Sequence, residues 1–153
     1  HSGGGFATAD AMFRFPDFFH VGVSGAGNHD NRSYNIYWAE KYQGELTRDS
    51  VSNETNFAEE ANKSHVEGLS GKLLLMHGDM DDNVHPAMTT QVVNELIEAN
   101  KDFDLIVAVT PKGDSRGSWQ HVAFFGSGSS RTAFASTRNS PLLLSSRRLS
   151  ERS

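Results

Sequence analysis

The sequence predicts an α/β fold, with a mostly parallel sheet and flanking helices, followed by an irregular tail. Lys72–Met76 is a continuous apolar run with the length of a buried parallel strand. A helical pattern follows it, and Phe103–Val109 is a second strand-like run. Because strand, helix and strand alternate in this order, the body of the chain is predicted to be α/β.

The N-terminal elements follow the same alternation. Four apolar positions recur at helical spacing and predict a helix from Ala7 to Phe15: Ala7, Ala11, Met12 and Phe15. Pro16-Asp17 ends this helix. His20–Ser24 is then a short strand that runs into the loop Gly25-Ala26-Gly27.

The middle of the chain is less regular, and the helix after it is clear. Tyr34–Tyr42 is interpreted as a helix, and the polar run Thr47–His65 as a loop with a short helix over the sheet edge. Pro86 opens a helix that ends at Asn100–Asp102. Its predicted buried side carries five apolar residues: Met88, Val92, Val93, Leu96 and Ile97.

Charge divides the chain into two parts. Residues 1–114 hold 18 of the 19 acids and 8 of the 14 Lys and Arg residues, whereas residues 115–153 hold one acid and six Arg. The chain is therefore predicted to consist of a partial α/β domain, residues 1–112, and a Ser/Arg-rich tail, residues 113–153, that is disordered or out of frame. Since the tail has no lysine and few aromatic residues, nucleic-acid binding is not expected.

Composition excludes several classes of site. The chain has 153 residues, of which 37% are hydrophobic and none is cysteine, so it has neither disulfides nor thiolate metal sites. No apolar run approaches the roughly 18 residues of a membrane helix, so no membrane span is expected. No cofactor is expected either.

The first residues, His1-Ser2-Gly3-Gly4, match the end of a nucleophile elbow, G-x-S-x-G. In that motif the serine lies on a sharp strand-to-helix turn with small residues on both sides. The alternative is a flexible Gly/Ser linker, but a helix and a strand follow, as they do after an elbow. We therefore expect the numbering to start inside a catalytic motif, and the chain to be a piece of an enzyme.

His77–His85 is the densest cluster of reactive side chains in the sequence. Asp79-x-Asp81-x-Asn83 copies the start of a calcium loop, but Val84 occupies the position where that loop needs Gly, and no Glu follows at the spacing that the loop requires. The second interpretation uses topology. Catalytic groups gather at the carboxyl ends of parallel strands, where an acid can orient a histidine that activates a serine.

Three segments together resemble the prolyl oligopeptidase family, in its dipeptidyl-peptidase IV branch: His1–Gly5, Tyr34–Gly44 and, above all, His77–Pro86. The resemblance extends from His1 to about Val107. It implies a partial α/β-hydrolase fold, normally preceded by a β-propeller, and cleavage of short peptides after Pro or Ala. It also implies the chain order Ser, Asp, His.

The resemblance also implies roles for individual residues. Ser2 would be the nucleophile, Asp81 the acid of the triad, and Gly3 the donor of one oxyanion N–H; the second donor, a tyrosine hydroxyl, would lie before His1. Tyr34 and Trp38 would form the aromatic wall around the proline ring, although core packing explains them nearly as well. Asn83 would bind a substrate carbonyl oxygen. The two histidines of the acid motif would be structural.

The third member of the triad departs from the family pattern. A His-Gly is expected a few residues after Val107, but residues 108–114 contain no histidine. His121 is the next candidate for the catalytic base; it lies about eight residues late and lacks the following glycine. A shifted reading frame or a foreign tail explains its surroundings better.

The predicted function is that of a serine-type peptidase that releases dipeptides or short peptides, with this chain inactive alone. Two alternatives stay open: a non-catalytic interaction module, and an esterase or acylaminoacyl peptidase on the same fold. The expected partner is a peptide substrate. The resemblance further implies homodimers of the full-length parent and favours an extracytoplasmic or periplasmic location.

Overall fold

A computed structural model describes residues 1–108. It contains four α-helices, three strands and two 3₁₀ helices. The α-helices are α1 (Gly3–Arg14), α2 (Ile36–Gln43), α3 (Asn56–Glu59) and α4 (Ala87–Glu98). The strands are β1 (Val21–Gly25), β2 (Lys72–Gly78) and β3 (Asp104–Ala108), and the 3₁₀ helices are Asn31–Ser33 and Asn62–Gly68.

The three strands form one parallel sheet in the order β1-β2-β3. Val23 pairs with Leu74 and Met76 pairs with Ile106, which makes β2 the central strand. Parallel neighbours need crossover connections, and α4 supplies the one between β2 and β3. The predicted α/β class, with parallel strands and flanking helices, is confirmed.

The main core lies on one face of the sheet, where α1, α4 and the 3₁₀ helix Asn62–Gly68 pack together. Its buried members come from all of these elements: Ala9, Met12, Phe13, Val66, Leu69, Leu73, Leu75, Val92 and Leu96. Five residues were predicted to lie on the buried side of α4. For Ile97 this prediction was wrong, because 52% of the residue is exposed. Ile97 lies in the last turn of α4, just before the chain turns at Asn100 in a left-handed conformation.

Strand β1 directs its valines away from this core. Val21 and Val23 are exposed, whereas Gly22 and Ser24 are buried. Met12 of α1 occupies the space over Gly22, where an added Cβ atom would lie 2.7 Å from the Met12 Cγ. Within residues 1–108, β1 pairs with β2 alone, so its other edge has no partner strand there.

Helix α1 starts earlier than its apolar pattern indicates. It begins at Gly3 instead of Ala7, and the amide of Phe6 already donates to the carbonyl of Ser2 at 3.0 Å. Three glycines form this first turn, and glycine has no side chain that periodicity could detect. The turn is nevertheless helical because it packs against the end of β1.

Residues 44–55 form a polar excursion between α2 and α3. Arg48 and Thr55 make a short antiparallel bridge, and Asp49 accepts backbone hydrogen bonds from Val51 and Ser52. This agrees with the predicted loop and short helix. Among residues 1–108, no helix has the length and hydropathy that crossing a bilayer requires.

Candidate active site

Ser2 lies at the turn that enters α1 and has a backbone conformation that is rare for a side-chain-bearing residue. Its φ is 56° and its ψ is −124°, and holding such a conformation costs on the order of 1–3 kcal/mol. Its amide donates to the carbonyl of Gly25, at the carboxyl end of β1, at 2.9 Å. Its hydroxyl makes no capping bond to α1 and is therefore not committed to the helix behind it.

The first turn of α1 approaches the end of β1 closely. A Cβ atom built on Gly5 would lie 2.5 Å from the carbonyl oxygen of Gly25 and 3.0 Å from the Cα of Gly27. The Ser24 hydroxyl donates to the carbonyl of Gly5 at 2.7 Å. Because backbone contacts backbone here, only glycine fits at Gly5.

An aromatic group from α2 and its N-terminal loop covers the same turn. A Cβ atom built on Gly3 would lie 2.6 Å from the Trp38 ring, so this ring is directly against the residue after Ser2. Trp38 makes ring contacts with Phe6 (6.5 Å between centroids), Tyr34 (5.9 Å) and Tyr42 (4.6 Å). Tyr34 and Trp38 are half-buried and do not belong to the main core cluster. They form a wall beside Ser2.

Asp81 follows β2 and is held by its own loop. One carboxylate oxygen, Oδ1, accepts the backbone N–H groups of Asn83 at 3.0 Å and Val84 at 2.9 Å. The other, Oδ2, lies 3.5 Å from Nε2 of His77. The tight turn therefore fixes the direction of the carboxylate without using both of its oxygens.

His77 anchors this loop from below. Its Nε2 donates to the carbonyl of Val84 at 2.8 Å, so its Nδ1 accepts from the Thr89 hydroxyl at 2.6 Å. Burial lowers the pKa of His77 and the nearby His85 adds to this, while the Val84 carbonyl and the Asp81 carboxylate oppose the shift. The side chain is a neutral link between the loop and α4.

One hydrogen bond joins the aromatic wall to the acid loop. The Tyr34 hydroxyl donates to Oδ1 of Asn83 at 3.3 Å. Consecutive contacts thus run from Gly3 through Trp38 and Tyr34 to Asn83 and the Asp81 loop. Six of the seven residues singled out from the sequence lie along this path; His121 and the tail 113–153 lie outside the described residues.

A buried polar cluster behind Ser2 has no counterpart among the residues predicted from the sequence. Five neighbouring polar residues are at most 3% exposed: Asn28, His29, Asp30, Asn31 and Asn62. Burial alone would raise the pKa of Asp30, but hydrogen bonds and charge from Arg32, with a contribution from Lys63, lower it overall. The run of polar letters from 28 to 33 was the available signal, but such runs usually indicate exposed loops.

Among the described residues, no group of three or more His, Cys, Asp or Glu side chains is arranged to hold a metal ion. In the His77–His85 loop, Oδ1 of Asp81 accepts hydrogen bonds from two backbone amides. The site has a serine, a carboxylate and backbone donors at the carboxyl edge of a parallel sheet.

Solved structures place this fold among the α/β-hydrolases. A crystal structure from Bacteroides ovatus, assigned as a candidate dipeptidyl aminopeptidase IV, matches with a TM-score of 0.62 and 30% identity, over 78% of this chain and 16% of that one. Dipeptidyl peptidase 4 of Porphyromonas gingivalis matches with a TM-score of 0.59 and 27% identity, over 69% of this chain and 14% of that one.

The sequence comparisons define the family. The model of the prolyl oligopeptidase family matches residues 1–112, and the chain belongs to that family. Dipeptidyl peptidase family member 1 of Caenorhabditis elegans is 35% identical over 105 residues, which are 68% of this chain. The match covers only 12% of that relative.

The contact between α1 and β1 predicts opposite effects at two adjacent glycines. We expect Gly5→Ala to destabilise the chain by at least about 1 kcal/mol, because the new methyl group meets backbone atoms. Gly4→Ala is the matched control: nothing lies within 4 Å of its added Cβ, so it should stabilise the helix by about 0.5–1 kcal/mol. Urea unfolding measures both, and equal effects would contradict this account of the turn.

The buried histidine predicts how stability depends on pH. Burial, with a smaller effect of His77, lowers the pKa of His29 from 6.5 to about 3. Below pH 6.5 the unfolded chain binds a proton here that the folded chain does not. The free energy of unfolding should therefore fall by about 1.4 kcal/mol per pH unit from this group as pH decreases from 6.5 towards 3.

Urea unfolding at pH 7, 6 and 5 tests this dependence with His29→Asn. The variant should lose that part of the slope, whatever its stability at pH 7. His20→Asn, at an exposed position before β1, should keep it. Parallel stability curves for the original chain and His29→Asn would refute the assignment.

Proposed function

We propose that this chain is part of the catalytic domain of a serine peptidase that releases dipeptides from substrates with Pro or Ala as the second residue. The observation that carries the proposal is the conformation of Ser2, φ 56° and ψ −124°, on a turn into a helix at the carboxyl end of a parallel sheet. A nucleophile elbow requires this turn. Family membership and similarity to dipeptidyl peptidases support it.

In this mechanism Ser2 attacks the carbonyl carbon of the scissile bond and gives its proton to a histidine. Asp81 orients that histidine and stabilises its charged form. The amide of Gly3 donates to the oxyanion, because the first N–H groups of a helix have no partner within the helix. The contact of Gly3 with Trp38 holds this donor beside the substrate wall.

The wall and the acid loop give the substrate its orientation. Tyr34 and Trp38 offer ring surfaces next to the nucleophile, which suit the apolar ring of proline. Asn83 accepts from Tyr34 through Oδ1, so its amide NH₂ is the group that donates to a substrate carbonyl. An apolar wall for a proline ring and an amide donor for a peptide carbonyl favour a dipeptidyl peptidase over an esterase on the same fold.

The catalytic histidine is the part of the proposed mechanism that this chain does not have at the position expected from the family. His121 is the candidate within the sequence, but its spacing departs from the family pattern. We therefore expect the 153-residue chain to hydrolyse a chromogenic dipeptide with proline in second position no faster than its Ser2→Ala variant. A Ser2-dependent rate would show that His121, or another group of this chain, serves as the base.

A chimera tests the catalytic assignment directly. Residues 1–108 would replace the matching segment of Porphyromonas gingivalis dipeptidyl peptidase 4, so that the host supplies the histidine and the second oxyanion donor. We expect the chimera to cleave the proline substrate. Ser2→Ala should lower kcat by about 10⁶ and Asp81→Asn by about 10⁴.

Asp82→Asn is the matched control for the acid, because Asp82 is the exposed neighbour of Asp81 and the chemical change is the same. It should leave kcat within about twofold, as surface changes usually do. A folded chimera without activity, or one in which Asp82→Asn costs as much as Asp81→Asn, would overturn the proposal. The first of these outcomes would favour a non-catalytic interaction module.

A further inference from the structure

Three buried side chains beside the first turn of α1 have no part in the proposed chemistry. Asn28, His29 and Asn62 are at most 1% exposed. Each has one side-chain atom without a hydrogen-bond partner: Asn28 Oδ1, His29 Nε2 and Asn62 Oδ1. Burying polar groups is costly unless they are hydrogen-bonded, so the hydrogen bonds that these side chains do make matter for the local structure.

The hydrogen bonds that are present define the protonation of His29. The Nδ2 atom of Asn62 lies 2.7 Å from Nδ1 of His29 and 3.0 Å from the carbonyl oxygen of Phe6. A carbonyl only accepts, so the amide NH₂ faces both partners and donates one N–H to each. Nδ1 of His29 is therefore an acceptor, and the ring proton is on Nε2.

Burial keeps the ring in this state. The pKa of His29 is lowered to about 3, first by burial and second by the repulsion that a protonated His77 would exert. The imidazole is consequently neutral at any pH at which a serine–histidine pair operates. The backbone adds a second link, since the amide of Asn62 donates to the carbonyl of His29 at 3.0 Å.

Gly27 lies between the ring of His29 and the first turn of α1. A Cβ atom built on Gly27 would lie 2.5 Å from Cε1 of His29 and 2.9 Å from the carbonyl carbon of Gly5. The imidazole, the Gly27 backbone and the first turn of α1 therefore pack in direct succession. Asn62 holds the same turn from the other end, at the Phe6 carbonyl.

We propose that His29 and Asn62 are a pair of positioning residues that fix the first turn of α1 and thereby maintain the strained backbone of Ser2. This proposal rests on the proposed function in one respect, which is that Ser2 is the nucleophile. A strained residue keeps its conformation when its surroundings hold it on several sides. Here the holding contacts are the Asn62 bond to Phe6, the His29 contact with Gly27 and the Ser24 bond to Gly5.

Asn62→Asp in the 153-residue chain tests the pair without any need for catalysis. A carboxylate has nearly the same shape but cannot donate to the Phe6 carbonyl. We expect hydrogen exchange at the amides of Ala9 and Asp10, which bond the carbonyls of Gly5 and Phe6 in the helix, to become about tenfold faster. Exchange at Val92 and Leu96 in α4 should not change.

The ring nitrogens of His29 give a second, spectroscopic readout. In the original chain, ¹⁵N shifts at pH 5 should report a neutral ring with its proton on Nε2. In Asn62→Asp the ring should be doubly protonated at that pH, since a carboxylate at Nδ1 favours the charged form. Asn35→Asp is the matched control, because Asn35 is exposed and aspartate caps α2 equally well; it should change neither readout.

Equal acceleration of exchange in α1 and α4 would overturn the proposal, because it would mean that Asn62 contributes only to global stability. A His29 that titrates near 6.5 in the original chain would overturn it as well. The chimera separates this proposal from the function. In an active chimera, Asn62→Asp should lower kcat about tenfold with KM unchanged; an unchanged kcat refutes the positioning role, whereas an inactive parent chimera refutes the function.

Discussion

The close approach of two backbone segments, the first turn of α1 and the end of β1, is the constraint on which the rest of the structure depends. Gly5 lies against the carbonyl of Gly25, and Ser2 donates to the same carbonyl. Side chains at this contact would force the helix away from the sheet. The helix would then lose its place over β1 and β2, where Met12 and Leu73 belong to one core.

The two halves of the candidate site are held by different kinds of interaction. On the Ser2 side, glycine contacts and hydrogen bonds to helix carbonyls set the backbone. On the Asp81 side, two backbone amides and the His77 anchor set a carboxylate. Each half has its own set of contacts, and the two halves are connected by the pairing of β1 with β2 and by the aromatic wall between them.

Sequence periodicity predicted the elements whose apolar side chains are buried in the main core. Lys72–Met76 and the helix after Pro86 were predicted correctly because Leu73, Leu75, Val92 and Leu96 form a continuous core. The sequence has three acids after a strand end and Ser2 before a helix, and the family resemblance singles out Asp81 among these acids. Both candidates were therefore found without knowledge of tertiary contacts.

Long-range contacts account for what the sequence did not show. The first turn of α1 is invisible to periodicity because its glycines carry no side chains, and the exposed valines of β1 alternate as buried ones would. The polar residues around His29 resemble a surface loop until Asn62, 33 positions later, pairs with the imidazole. Burial favours the neutral form of this imidazole and lowers its pKa from 6.5 to about 3. The polar run from 28 to 33 is visible in the sequence, but its burial and the pairing of His29 with Asn62 depend on the assembled fold.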